Sequence, residues 1–299
     1  MAMPPYADAS PFSGMGGHSL SVADVDADGR DEIIYQAMAV DDDGEGLYST
    51  GRRHGDAMHV GDFDPDRSGL EVFLITENEG RTVAWGTPGA VSHDARTGDP
   101  IWTHSPGVDV RGGLVADIDP RHAGSEIWGG PGGLRTVKGD AIGASPRTGD
   151  WAIWWDGDPL RELFSRRSIT KWNPNPRARS RCSFSAPAAA TTVPRCSATS
   201  SATGAKNSSS PRPTAARSAF SPRRSHEQRL PTLMHDPQYR LSLAWQNVAY
   251  NKPPHPSFYL GHGMKPPPRK AIKSSRRRAS WSSDTPSLEE RRPGLSRST

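Results

Sequence analysis

Asp24, Asp26, Asp28 and Asp31 stand at close intervals around Gly29 in the stretch Leu20-Ser-Val-Ala-Asp-Val-Asp-Ala-Asp-Gly-Arg-Asp-Glu-Ile-Ile34. Carboxylates two residues apart on a tight loop converge on one point, and a hard cation needs several oxygens at once, so this spacing predicts a calcium loop. The alternative is an acidic turn that only caps strand ends. Asp62, Asp64, Asp66 and Glu71 repeat the arrangement in His59-Val-Gly-Asp-Phe-Asp-Pro-Asp-Arg-Ser-Gly-Leu-Glu-Val-Phe73. In a third copy only Asp117, Asp119 and Glu126 remain, with Pro120 and Arg121 where further acids would sit, and metal is not expected there. A second constellation mixes imidazole and carboxylate: His18, His54, Asp56 and Glu77. His54 and Asp56 are two apart, so an extended backbone puts both on one face. Such a group can hold a cation or a proton, although single histidines usually serve structure.

The elements around these residues read as strand, acidic turn, strand, because short apolar runs flank each turn. Recurrence of one such unit marks a repeat architecture. Between the units lie turn-rich pieces such as Asp94-Ala-Arg-Thr-Gly-Asp-Pro-Ile-Trp102. Short strands at short intervals, with almost no helical periodicity, predict an all-β fold of four-stranded propeller blades. The 299 residues carry a net charge of +4 that describes neither part of the chain. Met1 to Trp172 holds 15 Lys+Arg against 28 Asp+Glu, and the remainder holds 22 against 5. The basic part has runs such as Arg276-Arg277-Arg278 among Ser and Pro, without the interleaved aromatic residues that stack on bases, so no nucleic-acid partner is expected. Cys182 and Cys196 have no His or carboxylate at ligand spacing and make neither a zinc site nor a disulfide framework. The apolar runs are too short to span a bilayer. After Met1 neither a basic start nor an apolar h-region follows, so no signal peptide is expected at this end.

Several long motifs occur together and in order. They are Gly17-His-Ser-Leu-Ser-Val-Ala-Asp-Val-Asp26, Ala37-Met-Ala-Val-Asp-Asp-Asp-Gly-Glu-Gly-Leu-Tyr48, His54-Gly-Asp-Ala-Met-His-Val60, His235-Asp-Pro-Gln-Tyr-Arg-Leu241 and Trp245-Gln-Asn-Val-Ala-Tyr-Asn251-Lys-Pro-Pro-His255. With them the chain resembles polysaccharide lyase family 11, the rhamnogalacturonan lyases, over residues 11–172 and 230–264. The resemblance implies an eight-bladed β-propeller with bound Ca²⁺, here incomplete. It implies β-elimination in the rhamnogalacturonan I backbone of pectin, by a monomer with no membrane partner, acting in an extracellular or periplasmic location. It places His18, His54, Asp56 and Glu77 around a calcium ion, makes Arg111 and His54 the candidate catalytic residues, and sets Asn247 and Tyr250 near the sugar. A non-catalytic calcium-stabilised propeller for carbohydrate binding or adhesion is the rival reading, and a pseudogene fragment is the third.

The pattern departs from the family after Trp172. Family members continue with an Asn-Gly-Thr-Lys type motif bearing an active-site lysine, then a Gly-Asp-Trp-Arg-Glu-Glu strand, and neither is present. A codon set exists for Thr199-Ser-Ser-Ala-Thr-Gly-Ala-Lys-Asn207 that, read one nucleotide back, encodes Asp-Ile-Leu-Gly-Asp-Trp-Arg-Glu-Glu. Residues 173–229 are therefore expected to be an aberrant segment, out of frame over about 173–225 and disordered as written. Residues 11–172 are expected to be partial propeller blades, 230–264 a C-terminal propeller piece and 265–299 a disordered basic tail. The family's N-terminal domain and first blades are expected to precede Pro11 in the parent enzyme. The chain as written is expected to be poorly folded and inactive.

Overall fold

The computed structural model describes residues 10–76, 88–105, 107–129, 132–146, 151–156, 158–165, 168–175, 233–246, 248, 250 and 252–268, and the backbone of 182–185, 197–199 and 206–208. The first acidic repeat folds as read. Ser21–Ala23 (β1) and Glu32–Ile34 (β2) pair antiparallel, with Ser21 opposite Ile34 and Ala23 opposite Glu32. Between them the aspartates bond the turn's own backbone: Asp26 Oδ1 accepts from the Asp28 amide at 3.1 Å, Asp24 Oδ2 from Gly29 at 3.2 Å and Asp28 Oδ1 from Arg30 at 2.8 Å. Such local bonds compete with the ladder and end the strand. Gly29 has φ of 94°, where a side chain would be strained.

Met38–Val40 (β3) and Gly46–Ser49 (β4) complete a sheet of order β1-β2-β3-β4. The same meander recurs three times. Ala57–Gly61 (β5), Glu71–Ile75 (β6), Ala90–Asp94 (β7) and Pro100–His104 (β8) form the second sheet. Gly113–Ala116 (β9), Glu126–Gly129 (β10), Leu134–Arg135 (β11) and Ala141–Gly143 (β12) form the third. The fourth is Trp151–Ile153 (β13), Glu162–Ser165 (β14), Ser168–Thr170 (β15) and Cys182–Ser185 (β16). The sheets stack by apolar faces. Val25 and Ile34 of the first meet Val60 and Leu74 of the second; Phe73 and Ile75 meet Val115 and Ile127 of the third; Leu114 and Trp128 meet Ala152 and Leu163 of the fourth. At roughly 25 cal/mol per Å² of apolar area removed from water, these interfaces are the main stabilising term. First strands touch first strands, β1 on β5, β5 on β9 and β9 on β13, so the sheets radiate from a shared inner edge. Four such sheets are formed among the described residues, where eight blades were expected of the whole.

Two segments hold elements that the sequence did not announce. The segment 173–229, expected to be disordered, contributes strand β16 and a hairpin of Ser197–Thr199 (β17) with Lys206–Ser208 (β18). Beta pairing uses backbone groups, and β15 offers an open edge to which an extended segment of almost any sequence can add. Among the described residues the C-terminal piece holds a helix, Pro237–Trp245 (α1), after a short turn at Leu233–His235. Asp236 caps it by accepting from the Tyr239 amide at 2.9 Å, and Pro237 occupies the first turn, where its missing N–H costs nothing. The 269–299 part of the tail lies outside the described residues.

The chain after α1 runs along the inner edge. Tyr250 N donates to His18 O at 2.8 Å, before β1; farther on, Tyr259 OH donates to Asp117 Oδ2 at 2.9 Å, after β9. Midway, buried Arg161 stacks on Trp154, 3.7 Å from the ring centroid, and its Nη2 donates to Pro254 O and His255 Nδ1, both at 3.2 Å. A guanidinium only donates, so His255 Nδ1 accepts. His255 Nε2–H then donates to His59 Nδ1 at 2.9 Å, and His59 Nε2–H to Gly113 O at 3.1 Å. One arginine thus fixes both tautomers.

Burial, then Lys252, holds His59 down from 6.5 to about 3; burial, then Arg52, does the same for His93. Below 6.5 the unfolded chain takes up protons that these folded imidazoles refuse, so stability is present above 6.5 and lost as pH falls toward 3. Going from neutral pH to about pH 5 should lower unfolding free energy by about 2 kcal/mol per histidine. Urea midpoints at the two pH values check this, and His93→Gln should remove one histidine's share.

Candidate functional site

His18 precedes β1, His54 and Asp56 precede β5, and Arg111 precedes β9, whereas the acidic turns follow these same strands. The His and Arg candidates therefore share the opposite end of the inner strands from the aspartates. The segments around His18 and His54 are zipped together: His18 N donates to Gly55 O at 3.3 Å and His54 Nδ1 lies 2.9 Å from Gly16 O. A carbonyl only accepts, so His54 Nδ1 carries hydrogen and its Nε2 lone pair is free to bind. That Nε2 faces His18 Nε2 at 3.1 Å, and Asp56 Oδ1 stands 3.7 Å from His18 Nε2. The Tyr250 ring stacks on His18 with centroids 4.2 Å apart and keeps 52% of its surface exposed. Ser19 Oγ donates to Tyr250 O at 3.1 Å, which ties this residue to the site from across the chain.

Close backbone approach sets this geometry. A Cβ on Gly55 would lie 2.0 Å from Ile75 O, and one on Gly17 2.5 Å from Gln36 Oε1. Gln36 is fully buried, sits at φ of 60° and donates Nε2 to Ile75 O at 3.0 Å. It locks the floor beneath His54 and Asp56, a role that no local sequence pattern announces. Gly55→Ala should force the His54 and Asp56 segment off β6 at about 1–3 kcal/mol. Its check is a fall in thermal midpoint.

Arg111 comes two residues before Gly113, which packs against the end of β6, since a Cβ there would meet Ile75 Cγ1 at 2.7 Å. Its side chain is 82% exposed and pairs with Asp109 at 3.4 Å. It holds φ of 64°, a left-handed conformation that is costly for a residue with a Cβ and concentrates at functional sites. The structure thus brings His18, His54, Asp56 and Tyr250 together and puts Arg111 one strand away. Glu77 and Asn247 lie outside the described residues.

At the other end, Asp24, Asp26 and Glu32 present oxygens within 4.8 Å of one another. Glu32 and Asp24 are the informative members, because Glu32 Oε1 and Asp24 Oδ1 are buried without a hydrogen-bond partner. Asp28 turns away to Arg30, and Asp31 is outside the group. Glu32 also joins Asp41 and Asp42 in a second group. Burial, then the charges of Asp26, Asp24 and Asp28, push the Glu32 carboxyl up, although the Val25 amide holds it down. The second turn does not gather Asp62, Asp64 and Asp66 into one group. Burial pushes Asp62 up to about 6, Asp64 accepts from the Asp66 amide, Asp66 pairs with Lys138 at 3.1 Å, and Glu71 pairs with Arg67 at 3.4 Å. In the third turn Asp117 accepts from Tyr259 and the His262 amide, and Asp119 is taken by Arg121.

Sequence reading missed a fourth acidic turn, Asp156, Asp158 and Glu162, and a device common to all four. In each, a fully buried glutamate opening the second strand accepts backbone amides of the turn: Glu32 from Val25, Glu71 from Phe63 and Asp64, Glu126 from Ile118 and Asp119, Glu162 from Trp155. Burial pushes Glu71, Glu126 and Glu162 up to about 8. The signal was a Glu at the same place in every repeat.

The family model for the C-terminal domain of rhamnogalacturonan lyase family 11 matches residues 6–270. Rhamnogalacturonan endolyase YesW of Bacillus subtilis (strain 168) is 45% identical over 279 residues, covering 86% of this chain and 42% of that protein. Rhamnogalacturonan exolyase YesX of the same organism is 44% identical over 298 residues, covering 87% and 45%. Among solved structures, Bacillus licheniformis rhamnogalacturonan lyase PL11 superposes with a TM-score of 0.71 at 43% identity, over 86% of this chain and 44% of that one. The crystal structure of YesW gives 0.68 at 40% identity, over 88% and 46%. This chain thus spans less than half the length of the relatives it matches.

Proposed function

Because the chain belongs to rhamnogalacturonan lyase family 11, we propose that it is part of the catalytic propeller of an enzyme that cleaves rhamnogalacturonan I by β-elimination, working outside the cytoplasm. The observation that carries the reading is the paired imidazoles of His54 and His18 with Asp56 alongside and an exposed tyrosine ring stacked on them. In the elimination a base takes the proton from C5 of a galacturonate, the C4–O4 bond breaks, and the rhamnose leaves with O4. A double bond then joins C4 and C5. Negative charge builds on the uronate carboxylate as the proton departs, so cationic groups in place beforehand lower the barrier. The exposed guanidinium of Arg111 supplies such a group. Tyr250 offers a ring face to the sugar, and its backbone bond to His18 keeps that face at the site.

Among the described residues the first acidic turn gathers its carboxylates as a divalent cation requires, and the histidine pair beside Asp56 is a second candidate. Asp24, Asp26 and Glu32 are hard oxygen donors with two orphaned buried oxygens among them, the donor set that calcium prefers, and this turn serves the scaffold. His18 stands 3.1 Å from His54 and 3.7 Å from Asp56, a looser mixed nitrogen and oxygen set than the acidic turn, with the His54 Nδ1 hydrogen directed to Gly16 O. Calcium bound there would supply positive charge to the developing carboxylate. Residues 173–225 are, in this reading, out of frame, so that the family's lysine motif is missing and the chain as written is inactive.

The test uses the repaired parent gene. Unsaturated uronate should accumulate from rhamnogalacturonan I, cease with a chelator and return with added calcium. Calcium-dependent binding of the polysaccharide without product would replace the enzyme by a binding module.

A further inference from the structure

The strand register decides which residue stands opposite the buried glutamate of each turn, and its charge differs from sheet to sheet. In the first sheet Ile33 pairs with Val40, so Glu32 faces Asp41. In the second, Glu71 faces Asp94. In the third, Ile127 pairs with Arg135, so Glu126 faces Thr136. In the fourth, Leu163 pairs with Thr170, so Glu162 faces Lys171. One position in a common architecture thus carries acid, acid, neutral and base.

The consequence is visible at the two turns whose carboxylates converge. In the first, Asp24 Oδ1 and the fully buried Glu32 Oε1 point into the group unpartnered, and Arg30 is engaged elsewhere, with Asp42 at 2.8 Å. In the fourth, Asp156, Asp158 and Glu162 converge in the same way, but Lys171 Nζ stands among them, 3.2 Å from Asp156, 3.3 Å from Glu162 and hydrogen-bonded to Asp158. The ammonium bonds Asp158 and forms ion pairs with Asp156 and Glu162, and so does the work of a small cation in such a nest. We propose that Lys171, opposite the buried glutamate of the fourth turn, serves as that turn's built-in cation so that it takes no metal, while Asp41 in the matching place leaves the first turn open to a divalent cation; in the second turn Arg67 pairs with both Glu71 and Asp94.

The inference rests on the proposed calcium site at the first turn for its Asp41 half only. The experiment is calcium content of the purified full chain by elemental analysis after dialysis, alongside thermal melts with calcium and with a chelator. Lys171→Asp should bind about one more calcium per chain than the wild type and should melt higher with calcium than with chelator by a wider margin. Asp156→Asn combined with Asp158→Asn should leave the calcium content of the wild type unchanged. Asp41→Lys should lower it by about one. Loss of a calcium in the Asp156/Asp158 pair variant would overturn the assignment of Lys171, since the ion would then have been in that turn. A folded Lys171→Asp chain that gains none would do the same. If Lys171→Asp fails to fold even with calcium, the pair variant still decides. A wild type that binds no calcium, with Lys171→Asp gaining one, would remove the first-turn reading and leave Lys171 in place.

Discussion

Restoring the reading frame across residues 173–225 is expected to raise eliminative cleavage of rhamnogalacturonan I by at least about 10²- to 10⁴-fold, the range that a positioned proton-transfer group contributes. The fourth sheet is the reason to expect a discontinuous change. Up to Thr170 its strands carry interior apolar residues in register, with Leu163 and Ile169 buried. Beyond Trp172 the sheet is completed by β16 backbone pairing from a segment rich in Ser, Ala, Pro and Arg. The alternative frame supplies an apolar and acidic strand where β17 and β18 now flank residues 200–205. Absorbance of the unsaturated product, measured for the parent enzyme with and without the repaired segment at equal concentration, gives the ratio. Equal rates would remove the frame hypothesis and the inactivity that follows from it.

The largest expected loss of stability from a single substitution is at Arg161→Met. The guanidinium is 3% exposed, and burial pushes its pKa down to about 9, so it is still charged at neutral pH. Methionine removes the guanidinium from the Trp154 face and takes the Arg161 donor from Pro254 O and His255 Nδ1. With two buried charge-assisted bonds lost, the cost should be about 3 kcal/mol. The substitution also releases the tautomer of His255, and through it His59. Urea unfolding gives the stability change, and imidazole nitrogen chemical shifts should report mixed tautomers at positions 59 and 255 in the variant. A midpoint within error of the parent would mean that the arginine is only filling space.

The parts of this fold that were legible in the sequence are those whose signal is local. The spacing of Asp24, Asp26 and Asp28 around Gly29 announces a turn between two strands, and the turn is there. His54 and Asp56 were legible as a pair because alternation fixes their common face. Pairing of His54 with His18 was legible only through the family motifs, as it depends on how two separate segments zip together. Glu32 was overlooked as a metal-ligand candidate because its meaning comes from a strand register, and Lys171 for the same reason. Helix α1 was passed over although Asp236-Pro237 is a good start signal: Tyr239, Leu241 and Leu243 alternate in sequence and read equally well as a strand. Gln36 had no local signal at all, since its importance is a contact with Ile75 O, 39 residues away.

The segment after α1 that lies along the inner edge has a consequence for the order of events in time. Ser19 bonds Tyr250 across 231 positions, His59 meets His255 across 196, and Asp117 meets Tyr259 across 142. During synthesis each sheet can form its hairpins as it appears, but His18 lacks its aromatic cover and His59 its partner until residues 250–259 have been made. Closing such long loops comes late and slowly compared with local pairing. The site at one end of the inner strands and the brace along them are therefore expected to mature together, after the local hairpins have formed.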